Sequence, residues 1–184
     1  PASAAALAET CEALTDWDRR VDVDSRGAQV FTEFWRGIRD TYGSPYQNVV
    51  VSDEFWAVDY DPADPIGTPA GVDLTVQAHR DLVIEQLLQA NQRLSDAGVA
   101  LDAPWGEVQY LERNNENVPI HGGAGTMGVF GAISASLQDG GYINPRSGNS
   151  YIQVVSWDES EGPIADTILT HSQSVQPDSD HYAD

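Results

Sequence analysis

AQVFTEFWRGIRDTY, residues 28–42, carries the clearest periodicity in the first third of the chain. Ala28, Phe31, Trp35, Ile38 and Tyr42 recur at spacings of three, four, three and four, the repeat of one face of an α-helix. Ser25 is placed to cap that helix, and Gly43 followed by Pro45 to stop it. Side chains as large as Phe31 and Trp35 on one stripe demand a deep partner surface, because an isolated helical pair would leave them in water. Upstream, Ala4, Leu7, Cys11 and Leu14 mark a first helix, where Cys11 reads as a small core thiol. Residues 1–43 are therefore expected to form a helical pair.

Beyond this pair the pattern breaks. Asp59-Tyr60-Asp61-Pro62-Ala63-Asp64-Pro65 and Gly67-Thr68-Pro69 are turn and extended signals, so residues 44–71 read as a long irregular connection. Loops of that length usually wrap another surface. A third helix follows within residues 72–98, from about Val72 to Ala97. Val76, Val83, Leu87, Ala90 and Leu94 lie on one face, and Gly98 is in place to end it. Residues 99–184 change period. Glu107 to Glu112, Ser150 to Trp157 and Ala165 to Thr170 read as strands. Gly140-Gly141 and Asp158-Glu159-Ser160-Glu161-Gly162-Pro163 supply the turns. Helices first and antiparallel strands afterwards predict an α+β fold.

The composition excludes several classes of function. Of 184 residues, nine are Lys or Arg against 29 Asp or Glu, for a formal net charge of −20, and all nine cations are arginine. A phosphate backbone would be repelled, so nucleic acid is not the partner. An anionic membrane surface is disfavoured for the same reason, and no apolar run approaches the roughly 20 residues that cross a bilayer. Five tryptophans and 41% hydrophobic residues support a real core. A single cysteine excludes an internal disulfide and a cysteine-based zinc site.

Three local patterns imitate known sites. Asp22-x-Asp24-x-Arg26-Gly27 with Glu33 resembles a calcium loop, but Arg26 puts a cation where a ligand oxygen belongs, and residues 28–42 read as continuous helix. The plainer reading is acidic residues near a helix N-terminus. Gly123-Ala124-Gly125-Thr126-Met127-Gly128 satisfies the dinucleotide-loop spacing, yet Pro119 interrupts the preceding strand and no βαβ pattern surrounds it. It reads as a glycine-rich turn. Asp166, His171, Ser172 and Ser174 contain triad residue types without a nucleophile elbow. His79, His121 and His181 are dispersed, which predicts no metal centre.

Longer stretches carry a resemblance. Trp17-Asp18-Arg19-Arg20 precedes Asp24-Ser25-Arg26-Gly27-Ala28 and Phe34-Trp35, and Asp61-Pro62-Ala63-Asp64-Pro65 precedes Thr68-Pro69. Leu101-Asp102-Ala103-Pro104-Trp105-Gly106-Glu107 leads to Val118-Pro119-Ile120-His121-Gly122-Gly123 and Gly128-Val129-Phe130. Ser150-Tyr151-Ile152-Gln153, Ser172-Gln173-Ser174 and Asp178-Ser179-x-His181-Tyr182-Ala183-Asp184 close the series. In order and spacing these resemble the later part of the β chain of the penicillin amidase family, in its acyl-homoserine-lactone acylase and aculeacin acylase branch.

That resemblance implies a fragment of a four-layer αββα sandwich of the N-terminal nucleophile hydrolase type. It implies cleavage of the amide bond of N-acylated small molecules: acyl-homoserine lactones, lipopeptides or penicillins. The nucleophile would be the N-terminal Ser of the β chain, helped by its own amine and an oxyanion hole. No cofactor is implied. The partners would be the α chain and the remainder of the β chain, and the family implies a periplasmic or secreted location. The family's catalytic residues precede the region matched here, so no catalytic residue is assigned on this chain. Pro1 stands where the family would need Ser. Residues 1–184 are therefore expected to be a partial β-chain segment, truncated at both ends and inactive alone. Trp35, Phe55 or Trp56 are expected near an acyl pocket, whose lining is otherwise unassigned. The alternative is a non-catalytic binding or interaction domain built on the same scaffold.

Overall fold

The structure is a computed structural model that describes residues 2–42, 55–113, 115–158, 162–168 and 174–182. Helix α1 spans Ala2–Asp16 and α2 spans Ala28–Tyr42, the latter with the bounds its periodicity predicts. Strands β1 (Trp56–Val58) and β2 (Ala70–Val72) precede α3 (Gln77–Asp96). A single turn of helix, α4 (Trp105–Val108), runs directly into β3 (Gln109–Arg113), followed by β4 (Glu116–Pro119). Three two-residue strands come next: β5 (Ile133–Ser134), β6 (Tyr142–Ile143) and β7 (Ser147–Gly148). The long strands β8 (Ile152–Asp158) and β9 (Gly162–Ile168) complete the set. The fold is α+β, with helices in the first half and mainly antiparallel strands later. One short parallel pairing departs from this, Gln109 with Tyr142 and Tyr110 with Ile143.

Helices α1, α2 and α3 pack on one another, and the main core lies between them and α4. Ala28, Val30, Leu94, Val99, Trp105, Val108 and Tyr142 form it, with Leu14 and Trp17 packed against its edge. Polar side chains inside this core have backbone to bind. Gln29 is fully buried, and its Nε2 donates to the carbonyls of Ala100, Leu101 and Ala103, tying the chain after α3 to the start of α2. Trp105 Nε1 and Gln109 Nε2 both donate to the Gly122 carbonyl, at 2.7 and 2.9 Å, which anchors the glycine-rich stretch.

Several expectations are corrected. Cys11 is exposed and so is Ala4, whereas Thr10 is fully buried. Alanine packs on either side of a helix, so an Ala-rich segment leaves its inner face to the partner. Here α3 selects Thr10, whose hydroxyl bonds the Ala6 carbonyl and accepts from Asn91 Nδ2. Ser25 does not cap α2: its hydroxyl donates to Asp18 Oδ2, and the Gly27 carbonyl accepts the first amides, from Val30 and Phe31. Residues 55–72 are not irregular throughout, because β1 and β2 pair antiparallel, Trp56 with Val72 and Val58 with Ala70. That pairing moves the start of α3 from Val72 to Gln77. Asp73 turns the chain between them by accepting the amide and hydroxyl of Thr75. Glu107 and Val108, expected in a strand, belong to α4.

Other expectations hold. Gly98 ends α3 at φ +69°, a left-handed position that glycine adopts without penalty. Gly140 and Gly141 form a turn at positive φ. Hairpin β8–β9 is antiparallel as expected, from Ile152 opposite Ile168 to Asp158 opposite Gly162, but Asp158, Gly162 and Pro163, expected in the turn, belong to its strands. Gly43, Pro45 and the rest of residues 43–54 lie outside the described residues, as do Thr170, His171 and Ser172.

Gly27 sits where α1 and α2 come closest. Its φ is +91°, and a Cβ there would lie 2.5 Å from the Ala13 carbonyl oxygen. Gly27→Ala is expected to destabilise the chain by roughly 1–3 kcal/mol through backbone strain and displacement of α1. Thermal or urea unfolding reads this directly, and an unchanged midpoint would remove Gly27 as the constraint on that crossing.

Candidate functional site

Helix α2 meets other parts of the chain with two different sides. The aromatic side continues a ladder of rings. Trp17 stacks on Phe31 at 5.0 Å between centroids, Phe31 on Trp35 at 6.3 Å, and Trp35 reaches Trp56 at 6.2 Å. Trp56 meets Phe55 edge-on at 5.4 Å, and Phe55 lies the same distance from His79. Phe55 is almost fully buried, while Phe31, Trp35 and Trp56 are only half-buried. The structure thus brings together Trp35, Phe55 and Trp56, the three residues expected near an acyl pocket. Ile38 and Val72 pack with them.

The other side is polar and deep. Glu33 is fully buried in α2, and each of its carboxylate oxygens is engaged. Oε2 accepts from Arg93 Nε at 2.9 Å and pairs with Arg36 at 2.6 Å; Oε1 accepts from the Tyr142 hydroxyl at 2.8 Å. Arg93 also donates to the Glu33 main-chain carbonyl at 2.7 Å. One carboxylate therefore joins α2, α3 and β6. Burial pushes the Tyr142 hydroxyl well above the ordinary tyrosine range, and the Glu33 charge pushes it further.

The sequence motifs fall in distinct places. Glu33, the last position of the calcium-like pattern, is held by Arg93, Arg36 and Tyr142, while Asp22 lies on the surface 3.8 Å from Arg20. The segment between them turns through residues 22–27 and enters α2 at Ala28, so its second half is helix and a twelve-residue calcium loop is not built. Within Gly123 to Gly128, Gly125–Met127 form a three-residue 3-10 turn, and Gly123 is bridged to Ala132. Among the described residues no α-helix follows it, so a pyrophosphate cradle is not built. The turn is clamped to α2 instead. Trp35 Nε1 donates to the Thr126 carbonyl at 2.7 Å, and Arg39 donates to the Thr126 hydroxyl at 3.0 Å. His79 is buried with Nδ1 2.9 Å from the Asp73 carbonyl, and His121 and His181 are exposed. Asp166 lies exposed on β9. Among the described residues no three His, Cys, Asp or Glu side chains are grouped to hold a metal ion.

Sequence reasoning missed the Glu33 cluster and the clamp on the glycine-rich turn. One signal was available: Glu33 falls between Val30 and Gly37 on the side of α2 facing α3, where a charge needs a buried partner.

The whole chain, residues 1–184, matches the family model described as penicillin amidase. The chain belongs to the penicillin amidase family. Among the relatives of this amidase-family chain is the acyl-homoserine lactone acylase PvdQ of Pseudomonas syringae pv. syringae. It is 34% identical over 185 residues, covering 98% of this chain and 22% of the relative. The PvdQ of Pseudomonas putida is 32% identical over 175 residues, covering 95% and 21%. The aculeacin-A acylase of Actinoplanes utahensis is 33% identical over 179 residues, covering 97% and 20%. The chain therefore spans about a fifth of the length of the curated relatives it matches. The penicillin amidase assignment agrees with the mixed α+β architecture and with the resemblance carried by the sequence motifs.

Tyr142 offers a check on the buried cluster. Its hydroxyl is raised above the unfolded value of about 10, so its contribution is fully present below pH ~10 and is lost as pH rises through the folded value. An alkaline titration followed by tyrosinate absorbance should show one phenol ionising later than the rest. Tyr142→Phe should abolish that late step and cost about 1–3 kcal/mol, because Glu33 Oε1 loses its donor. A Phe variant with unchanged stability and an unchanged titration would mean that the bond contributes nothing.

Proposed function

We propose that this chain is a β-chain segment of an amide hydrolase that cleaves N-acylated small molecules, with its nucleophile outside residues 1–184. The observation that carries this reading is the family match along the full chain, together with one-third identity to relatives named as acylases. In the proposed reaction an N-terminal Ser hydroxyl attacks the amide carbonyl while its own amino group takes the proton. An oxyanion hole holds the tetrahedral intermediate, and collapse expels the amine, which is protonated as it leaves. Water then releases the acyl group as a carboxylate. The substrate class is N-acyl amides such as acyl-homoserine lactones, lipopeptides or penicillins, and the location is periplasmic or secreted. No described helix is long and apolar enough to cross a membrane.

The partners in this reading are the α chain and the rest of the β chain. Hairpin β8–β9 supports it. Val154 and Trp157 are 66% and 77% exposed, Ile164 is also exposed, and β8 and β9 pair only with each other among the described residues. A two-stranded hairpin alone is marginal in water, so apolar residues of this size call for further strands or a covering layer. The half-exposed rings of Phe31 on α2 and Trp56 on β1 make the same demand. The contribution of residues 1–184 is then support for the sandwich and for the substrate cleft.

The test is hydrolysis by the full-length precursor after maturation. With N-acyl-homoserine lactones of graded chain length, an aculeacin-type lipopeptide and a penicillin as substrates, at least one should be cleaved at its amide. Mass spectrometry of a trapped acyl-enzyme should place the adduct on the N-terminal Ser of a processed chain. The separate 184-residue chain should release no carboxylate. Full-length protein that matures but cleaves none of these amides would favour the non-catalytic binding domain, and turnover by the separate chain would contradict the placement of the nucleophile.

A further inference from the structure

A cleft of about 330 Å³ opens between α2 and the glycine-rich turn. Arg36 and Arg39 line one wall, three residues apart and so on the same side of the helix. Thr126, Ser134 and Ser136 line the opposite wall with hydroxyls, and Trp35 and Met127 add an apolar surface. The charges in this lining do not balance. Glu33 is its single carboxylate, and Glu33 is already engaged by Arg93, Arg36 and Tyr142.

Arg39 has weaker compensation. It donates to the Thr126 hydroxyl, and its ion pair with Asp40 is 3.3 Å long with the aspartate 54% exposed. A pair that exposed contributes little. The Nε of Arg39 is buried without an acceptor. A chain with a net charge of −20 thus keeps a cationic recess, only partly balanced by Glu33 and Asp40, beside an indole and a thioether.

We propose that this cleft binds a small organic carboxylate, with the anion on Arg36 and Arg39 and the hydrocarbon against Trp35 and Met127. A guanidinium matches the two oxygens of a carboxylate, and a second guanidinium raises the local potential. The apolar wall distinguishes the ligand from inorganic phosphate, which would gain nothing from Trp35, and from a neutral alcohol, which would gain nothing from the arginines. Such binding goes beyond amide hydrolysis and does not depend on it.

Titration calorimetry on the full-length protein, with hexanoate, inorganic phosphate and hexan-1-ol as probes, tests the site. Hexanoate should bind, and both other probes should bind more weakly by about tenfold or more. Arg39→Gln should weaken hexanoate by a similar factor at a temperature where the variant remains folded, and Arg36→Gln should do the same. Because Arg36 also pairs with Glu33, its variant can fail to fold, and Arg39→Gln then decides alone. Hexanoate binding that survives Arg39→Gln undiminished would overturn the proposal, since it would place the ligand elsewhere. Equal affinity for phosphate and hexanoate, or no hexanoate binding at all, would overturn it too.

Discussion

A carboxylate with no access to water has to be matched where it lies, and the Glu33 side chain sets that requirement for this fold. Its partners come from three places in the sequence: Arg36 within α2, Arg93 on α3 and Tyr142 on β6. Removing one partner of a buried ion pair typically costs a few kcal/mol, whereas replacing the whole set by apolar groups is often neutral. The cluster therefore acts more as a constraint on arrangement than as net stabilisation. Only a packing that delivers both guanidinium groups and the phenol to one carboxylate avoids an unpaired buried charge. It also binds the helical half to the strand half, because Tyr142 pairs with Gln109 next to the α4 turn.

With its inner side fixed in this way, α2 is left with two unequal outer flanks. One carries the ring ladder from Trp17 through Phe31 and Trp35 to Trp56. The other carries Arg36 and Arg39 beside the glycine-rich turn. That turn is positioned by Trp105 and Gln109 from within the core, and by Trp35 and Arg39 from α2. Its glycines thus serve close packing of backbone against side chains, in keeping with a structural part of an amidase-family chain. The half-exposed rings and the exposed apolar residues of β8–β9 fit a chain that spans about a fifth of its relatives' length.

Much of this organisation was legible in the sequence. The α2 stripe gave the bounds of that helix because large aromatics repeat there without interruption. Gly98 marked the end of α3 because a left-handed residue is needed at that point. The inner face of α1 was not legible, since alanines suit either side and the choice fell to Asn91 on α3. Strands β1 and β2 were hidden by their brevity and by the Asp- and Pro-rich loop between them, which reads as irregular whether or not its ends pair. Glu33 was hidden by its type. A glutamate in a helix is usually solvated, and its partners Arg93 and Tyr142 lie 60 and 109 residues away along the chain. The family was legible for a different reason: it rests on the order of many short motifs, so misplacing individual elements did not disturb it.

The dependence of the fold on the Glu33 cluster is tested most directly by a double-mutant cycle between Glu33→Gln and Arg93→Met, read as unfolding free energy. Each single change should destabilise by about 3 kcal/mol because it leaves a buried charge or amide mismatched. The double variant should then be less damaged than the sum, with a coupling of roughly 1–3 kcal/mol. Strict additivity would contradict the account, since it would mean that the two groups stabilise the fold independently and that the buried carboxylate does not organise it.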